Sequence, residues 1–460
     1  MSFSRYDSYI DSGIEWLGEV PSHWTIQRLK MSVASCRNGI WGEDPDGTGD
    51  DTVCVRVADF DRSRLAVNLE TPTLRRISEK ERASRTVIRG NLLLEKSGGG
   101  EKQPVGAVVL YDHDTNAVCS NFIARLELKP DLDPQFWSFA HAAMYSIRLT
   151  NRSINQTSGI QNLDQTRYFD ELISFPPLKE QVSIGEFLVC ETAKIDRLIE
   201  AQRQLVELLK EKCQAVVSHA VTKGLDPTAP MKPAGVEWLG DVPAHWEVVP
   251  LKRLISILSG FAFPSQGFSH SEEDMRLLRG INVSVGCTRW EQDVVYWKRA
   301  QEDGLKQFEL RIGDVVLGMD RPWIGDGLRA AQIGEEDLPC LLLQRVAALR
   351  PRDRLLGGYL FFLLSGAAFF HHCAPEMTGV SVPHISPDQV SNFQIALPSI
   401  EEQRSILEVL NTHDEQMSRA VETAEAAMTL LAERRSALIS AAVTGQIDVR
   451  RTLPAVAEAA

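Results

Sequence analysis

The chain has 460 residues, 43 % apolar and 24 % charged, with a formal net charge of −13. That balance belongs to a globular protein long enough for about three average domains, and it excludes wholesale disorder. The acidic sum disfavours a nucleic-acid binder that relies on overall charge, although local patches act independently of the sum.

Residues Met1 to Asp11 are polar and lack the apolar core of a signal peptide. The next segment, Gly13-Ile14-Glu15-Trp16-Leu17-Gly18-Glu19-Val20-Pro21-Ser22-His23-Trp24, returns 222 residues later as Gly235-Val236-Glu237-Trp238-Leu239-Gly240-Asp241-Val242-Pro243-Ala244-His245-Trp246. Nine of the twelve positions are identical, and four of the nine tryptophans lie in these two copies, so chance is a poor explanation. The same offset relates Glu180-Gln181 to Glu402-Gln403 and Val221-Thr222 to Val443-Thr444. The chain is therefore two halves, residues 1–227 and 228–450, with an Ala-rich tail at 451–460. Between the anchors the halves look unrelated. A duplicated enzyme is expected to repeat its active-site residues, whereas a duplicated reader keeps its frame and diversifies its reading surfaces.

In the first variable segment, residues 25–176, the stretch from Arg62 to Arg89 carries eight basic and three acidic side chains. Arg75, Arg76, Lys80, Arg82 and Arg85 are candidate phosphate contacts on this count, against the alternative of a solvated face paired with carboxylates. The glycine-rich loop that follows offers Lys96, Gly99, Lys102 and Gln103 to phosphates or base edges. Strand-like runs cover Val105 to Tyr111 and Val118 to Leu128, and a helix is predicted near Pro134. Asn155, Gln156 and Asn162 have the amides that pair with adenine, although such residues more often satisfy turns.

A long helix then runs over 177–226, with a seam of Ile184, Leu188, Ile195, Leu198, Leu205, Leu209 and Val216 at spacings of three, four and seven. The second half repeats the plan. Its variable segment, 247–397, holds strand-like runs at Asp314 to Leu317 and Leu341 to Leu349 and an apolar helix from Leu355, too short for a confident membrane span. Lys298, Arg299, Arg321, Trp323, Arg329 and His384 are the candidate readers here, with a core anchor the alternative for Trp323. The second long helix, over 398–450, carries the seam Ile406, Leu410, Met417, Leu431 and Leu438, and Ser399 with Glu402 forms a capping box at its start. Two matched seams in one chain predict that the helices pack on each other, antiparallel.

Catalytic signatures are absent. There is no P-loop, GxGxxG, GxSxG, HExxH or DxDxDG pattern. His371-His372-Cys373 puts adjacent side chains on different faces of a helix and makes a poor metal site. Eight scattered cysteines without a CxxC pair argue against zinc and disulfides and fit a reducing cytoplasm. No catalytic or metal residue is expected.

The repeated frame, the P-x-L/I-x-E-Q helix starts and the Val-Thr helix ends with a glycine close behind (Gly224 and Gly445) together resemble the specificity subunits of type I restriction-modification systems, over residues 1–450. Gly90-Asn91 and Gly313-Asp314 resemble that family's strand-entry motif, the first departing from its usual Gly-Asp. The resemblance implies an α+β protein with pseudo-twofold symmetry. A clasp and first target-recognition domain occupy 1–176, a spacer helix 177–226, a second clasp and recognition domain 227–397, and a second spacer helix 398–450. The two helices form an antiparallel coiled coil. It also implies a non-enzymatic, cytoplasmic DNA-binding subunit that reads a bipartite asymmetric site. Adenine methylation and cleavage fall to partners: two methylation subunits and motor-nuclease subunits, which carry S-adenosylmethionine, ATP and Mg. This chain itself is expected to bind no cofactor and no membrane. The alternatives are a coiled-coil protein scaffold, or a DNA methyltransferase or nuclease with a cryptic site.

Overall fold

The computed structural model describes residues 3–47, 49–157, 159–291, 293–298, 304–325, 327–377 and 382–450. The chain divides into two compact units that cut across its linear order: unit 1 is Met1–Arg203 with Glu425–Ala460, and unit 2 is Gln204–Ala424. Two long helices, Leu178–Lys223 and Ile400–Val443, each contribute one part to each unit.

Unit 1 is built on a six-stranded sheet in the order Val33–Asn38, Ile123–Leu128, Leu92–Glu95, Val108–Leu110, Ala66–Val67, Phe60–Asp61. A second sheet orders Ala117–Cys119, Asp51–Val55 and Leu74–Arg76. The helix Pro134–Ser146 starts where the sequence places it, capped by Asp133, whose carboxylate accepts from the Phe136 amide. It buries Phe136, Trp137 and Ala140 against Leu92, Leu94 and Val108.

Unit 2 repeats this topology. Its four-stranded sheet runs Ile255–Ser259, Val346–Pro351, Val315–Gly318, Ala330–Gln332, and each strand starts 222 or 223 residues after its unit 1 counterpart. The second sheet places Cys340–Leu342 beside Met275–Leu278 in parallel, as Ala117–Cys119 lies beside Asp51–Val55. The variable segments, dissimilar in sequence, therefore share one fold. The apolar run predicted as one helix is two, Gly357–Ser365 and Ala367–Met377, separated at Gly366.

The strand-entry turns match too. Asn91 accepts the Ile88 amide through Oδ1 (3.0 Å) and Asp314 accepts the Arg311 amide through Oδ2 (2.9 Å). Both follow a glycine in the left-handed region, Gly90 at φ +90° and Gly313 at φ +85°. The Gly90-Asn91 departure thus keeps the turn.

The repeated Glu-Gln pair explains the clasps. In unit 1, Glu180 accepts the Trp24 indole (2.9 Å) and pairs with His23 (2.7 Å), while Gln181 accepts the Trp137 indole and the Asp133 amide (3.1 Å each). In unit 2, Glu402 holds Trp246 (3.2 Å) and His245 (2.7 Å), and Gln403 accepts the Leu356 amide (2.9 Å). The glutamate grips the clasp and the glutamine grips the start of the domain helix. Burial alone would raise the Glu402 carboxyl; hydrogen bonds from His245, Trp246 and Ser399 outweigh it and hold the group below its ordinary value. The capping box of Ser399 and Glu402 is formed, with Glu402 N donating to Ser399 Oγ (3.2 Å) and Ser399 N to Glu402 Oε2 (3.2 Å).

The helices pair antiparallel in each unit. In unit 1, Ile184 and Leu188 share a core with Ile439, Ala442 and Val443, and further along Arg435 forms an ion pair with Asp196 (3.0 Å). In unit 2, Val217, Ala220 and Val221 share a core with Ile406 and Leu410. The seam differs from the heptad reading. Ile184, Leu188, Ile195, Ile406 and Leu410 are buried, and Leu209, Val216, Met417, Leu431 and Leu438 are half-buried. Leu198 and Leu205 are 52 % and 43 % exposed and lie off the buried face. Burial instead steps by eleven, through Ile195, Val206 and Val217. Eleven residues in three turns is close to the natural pitch of a helix, whereas a heptad stripe drifts by about 20° per repeat on a helix that is not supercoiled to follow it.

Candidate nucleic-acid interface

The basic stretch Arg62–Arg89 is neutralised in space by carboxylates that lie outside it in sequence. Arg75 bonds Asp44 and lies over the Trp41 ring, and Arg76 bonds Glu43 and Asp46. Arg82 reaches Asp50 at 3.3 Å. Lys80 is exposed and makes no ion pair with a described residue, and Arg85 donates to the Glu81 carbonyl (3.0 Å). Charge counted along the chain overstates what this face presents to a phosphate.

Two other candidate regions, some sixty residues apart in sequence, meet. Ser97–Gly98 pairs antiparallel with Gln161 and Asn162, which belong to the hairpin Ile154–Thr157/Ile160–Leu163. Lys96 closes the junction: its amide donates to the Phe122 carbonyl and its carbonyl accepts from Leu163 N. Ser97 Oγ donates to Asn162 Oδ1 (2.7 Å), and the buried Gln161 accepts the Val105 amide (3.2 Å). Asn155, Gln156, Asn162, Gly99, Lys102 and Gln103 are all exposed on this assembly. Gly99 is in the left-handed region at φ +60°, and a Cβ there would lie 2.8 Å from the Val105 amide nitrogen.

Unit 2 builds the same junction. Met319 N donates to the Arg345 carbonyl, Ile385 N donates to Met319, and Asp320 pairs antiparallel with His384. His384 Nδ1 lies 2.8 Å from Asp320 Oδ1. Arg321 sits at φ +46° with its amide bonded to the Pro383 carbonyl (2.8 Å). Trp323 does not face outward as a reader: it packs edge-on against Phe370 (5.0 Å) and onto the apolar core, because an indole between two loop turns gains more from burial than from solvent. Lys298 is exposed beside the strand Tyr296–Trp297; Arg299 lies outside the described residues.

Beside the unit 2 junction opens a groove of about 1020 Å³. Arg279, Arg289, Arg321, Arg329 and Arg345 line it, with Asp320 the one carboxylate among the described lining residues. Ile281, Val285, Ile324 and Val382, all exposed, supply apolar surface between the guanidiniums. Arg329 is fixed by the Val283 carbonyl (3.1 Å) and the Asp320 carbonyl (3.2 Å), and its burial lowers its pKa. Sequence reasoning found Arg321 and Arg329. It missed Arg279, Arg289 and Arg345, which come from separate loops and show no clustering along the chain. Among the described residues no group of three or more His, Cys, Asp or Glu side chains is placed to hold a metal, and no helix is long and apolar enough to cross a membrane.

A basic, partly apolar groove on one of two matched units has the charge and shape to receive nucleic acid. Residues 243–425 match the family model of the type I restriction modification DNA specificity domain. The MjaVIII type I restriction enzyme specificity subunit of Methanocaldococcus jannaschii is 26 % identical over 337 residues, 72 % of this chain and 75 % of that one. The putative MjaX specificity subunit of the same organism aligns over 94 % of this chain and 96 % of its own length at 22 % identity. Over most of its length the chain is thus similar to type I restriction-modification specificity subunits. Its fold is also that of the solved HsdS subunit from Thermoanaerobacter tengcongensis, with TM-score 0.51 and 18 % identity over 93 % of this chain and 98 % of that one. A chain solved in a study of type I system assembly and conformational transition gives TM-score 0.70 at 18 % identity, over 92 % of this chain and 98 % of its own.

Proposed function

We propose that this specificity subunit reads a bipartite, asymmetric DNA site, one domain per half-site, and that the two long helices set the unread gap between them. The observation that carries this reading is the pair of matched junctions, alike in backbone and unlike in side chains. A duplicated frame with two different surfaces suits an interrupted, non-palindromic sequence, as dimer spacing suits a palindrome. The subunit performs no chemistry of its own. It works in the cytoplasm with two methylation subunits, which carry S-adenosylmethionine and modify adenine, and with motor-nuclease subunits, which use ATP and Mg. Trapped phosphate charge is largely the partners' task, since this chain is acidic overall.

The test is genome-wide mapping of methylated adenine in cells expressing this chain with its methylation subunit. Two defined blocks separated by a fixed undefined gap is the expected result. An assembled complex that methylates no such motif would favour a protein scaffold. Inserting four residues after Gln202 is expected to lengthen the gap and leave both blocks intact; an unchanged gap would sink the ruler.

A further inference from the structure

The arginine groove of unit 2 is an unusual arrangement in a chain with 62 acidic and 49 basic side chains. In unit 1, Arg75, Arg76 and Arg82 each find a carboxylate. Here five guanidiniums share one carboxylate among the described lining residues, so the groove repels itself until an anion enters. The five are not equivalent. Arg329 is spent on two backbone carbonyls, and Arg279 donates to the Asp293 carbonyl. Arg345 lies 3.4 Å from the Asp320 carboxylate. Arg289 and Arg321 make no side-chain bond to any described residue.

Of those two, Arg321 is the better positioned to read. Its amide is bonded to the Pro383 carbonyl, the preceding Asp320 pairs with His384, and the following Pro322 is buried. The backbone is thereby held while the side chain is free, which lowers the ordering cost of making a directed contact. The planar fork of arginine matches the N7 and O6 acceptors of guanine in the major groove, the commonest specific protein–DNA contact. The corresponding position in unit 1 is Gly98, which pairs with Gln161 as Arg321 bonds Pro383 and has no side chain to offer.

We propose that Arg321 reads a guanine in the half-site recognised by unit 2, a contact that the other half-site lacks. This rests on the DNA-reading function proposed above. The experiment compares methylation motifs, mapped genome-wide in cells expressing the methylation subunit with the wild-type chain, Arg321→Ala or Arg321→Lys, with assembly verified by co-purification. The wild-type motif is expected to contain a G·C pair in one block. Arg321→Ala is expected to lose roughly ten- to hundred-fold of the preference at that one pair. The other block should stay unchanged, which also shows that the variant has folded. Arg321→Lys keeps the charge but not the fork and is expected to relax the same pair. The proposal is overturned if Arg321→Ala leaves every position of the motif as it was. It is equally overturned if either variant weakens all positions uniformly, the mark of a phosphate contact, or if Arg321→Lys retains full preference. Absence of any two-block motif with the assembled wild-type complex would instead remove the DNA-reading function, and this proposal with it.

Discussion

At the junction of unit 1, Lys96 donates to Phe122 and accepts from Leu163; at that of unit 2, Met319 donates to Arg345 and accepts from Ile385. The backbones correspond bond for bond, and the side chains do not. Gly98 stands where unit 2 has Arg321, Phe122 where it has Arg345, and Ile160 where it has Val382. Beneath the junctions the contrast continues. Unit 1 buries Glu95 and pairs it with Arg62 at 2.7 Å, whereas unit 2 has Gly318 there, with Arg329 packed 3.3 Å from where its Cβ would be. The guanidinium under unit 1 is cancelled by a carboxylate; the one under unit 2 is held by carbonyls and keeps its charge. Chain geometry is conserved between the halves because main-chain hydrogen bonds fix it, and field and shape vary because side chains alone carry them.

The largest expected effect breaks the internal pair of unit 1. Glu95→Ala leaves Arg62 largely buried without its carboxylate, at a cost of about 3 kcal/mol in unfolding free energy. Burial raises the Glu95 carboxyl against the opposing influence of Arg62, so the desolvation cost is already present in the native protein. Urea denaturation of the full chain reads the loss, and an unchanged midpoint would show that the pair contributes nothing. Unit 2 has no counterpart at Gly318, so its arginine groove should keep its contribution to DNA binding in the variant.

A smaller effect separates the two clasps. The long helices end in glycines at nearly the same angle, Gly224 at φ +75° and Gly445 at φ +76°. A Cβ on Gly445 would lie 2.4 Å from Pro21 Cδ and 2.9 Å from the Trp24 ring, whereas one on Gly224 would lie 3.1 Å from the Trp246 ring. Left-handed backbone costs either alanine about 1 kcal/mol. Gly445→Ala adds a collision with a rigid proline ring and is expected to reach about 2–3 kcal/mol, against about 1 kcal/mol for Gly224→Ala. Equal thermal shifts for the two variants would show that the clasps pack alike.

How much of this was legible in the sequence follows from what each level depends on. The frame was readable because Trp24, Glu180 and Gln181 each meet several partners, and their copies at offset 222 had little freedom to change. The long helices were readable by their apolar period, but Leu198 and Leu205 were assigned to the seam because periods of seven and eleven coincide over short windows. The shared topology of the recognition domains was hidden, since strands such as Leu92–Glu95 and Val315–Gly318 need only to be apolar and buried. The groove was hidden most completely: Arg279, Arg289 and Arg345 converge only after three loops fold together. The stretch Arg62–Arg89 misled in the opposite sense, because Glu43, Asp44, Asp46 and Asp50 answer its charges from outside the counted window.

That last difference supplies the finest comparison, between arginines that are counted together and arginines that are placed together. In the assembled complex, each phosphate neutralised by a free side chain adds about 0.9 to the slope of log affinity against log salt. Arg289→Ala with Arg345→Ala is therefore expected to lower that slope by about 0.9, from Arg289 alone because Arg345 already lies beside the Asp320 carboxylate, and to weaken binding several-fold at about 0.15 M salt. Arg75→Ala with Arg76→Ala removes the same formal charge from the same chain. Those two guanidiniums already hold Asp44, Glu43 and Asp46, so a phosphate would gain only what the carboxylates gave up, and the slope should stay where it was. Titrations of both double variants at three or more salt concentrations decide the matter: equal slopes would mean that net charge governs DNA binding here, and unequal slopes that its arrangement does.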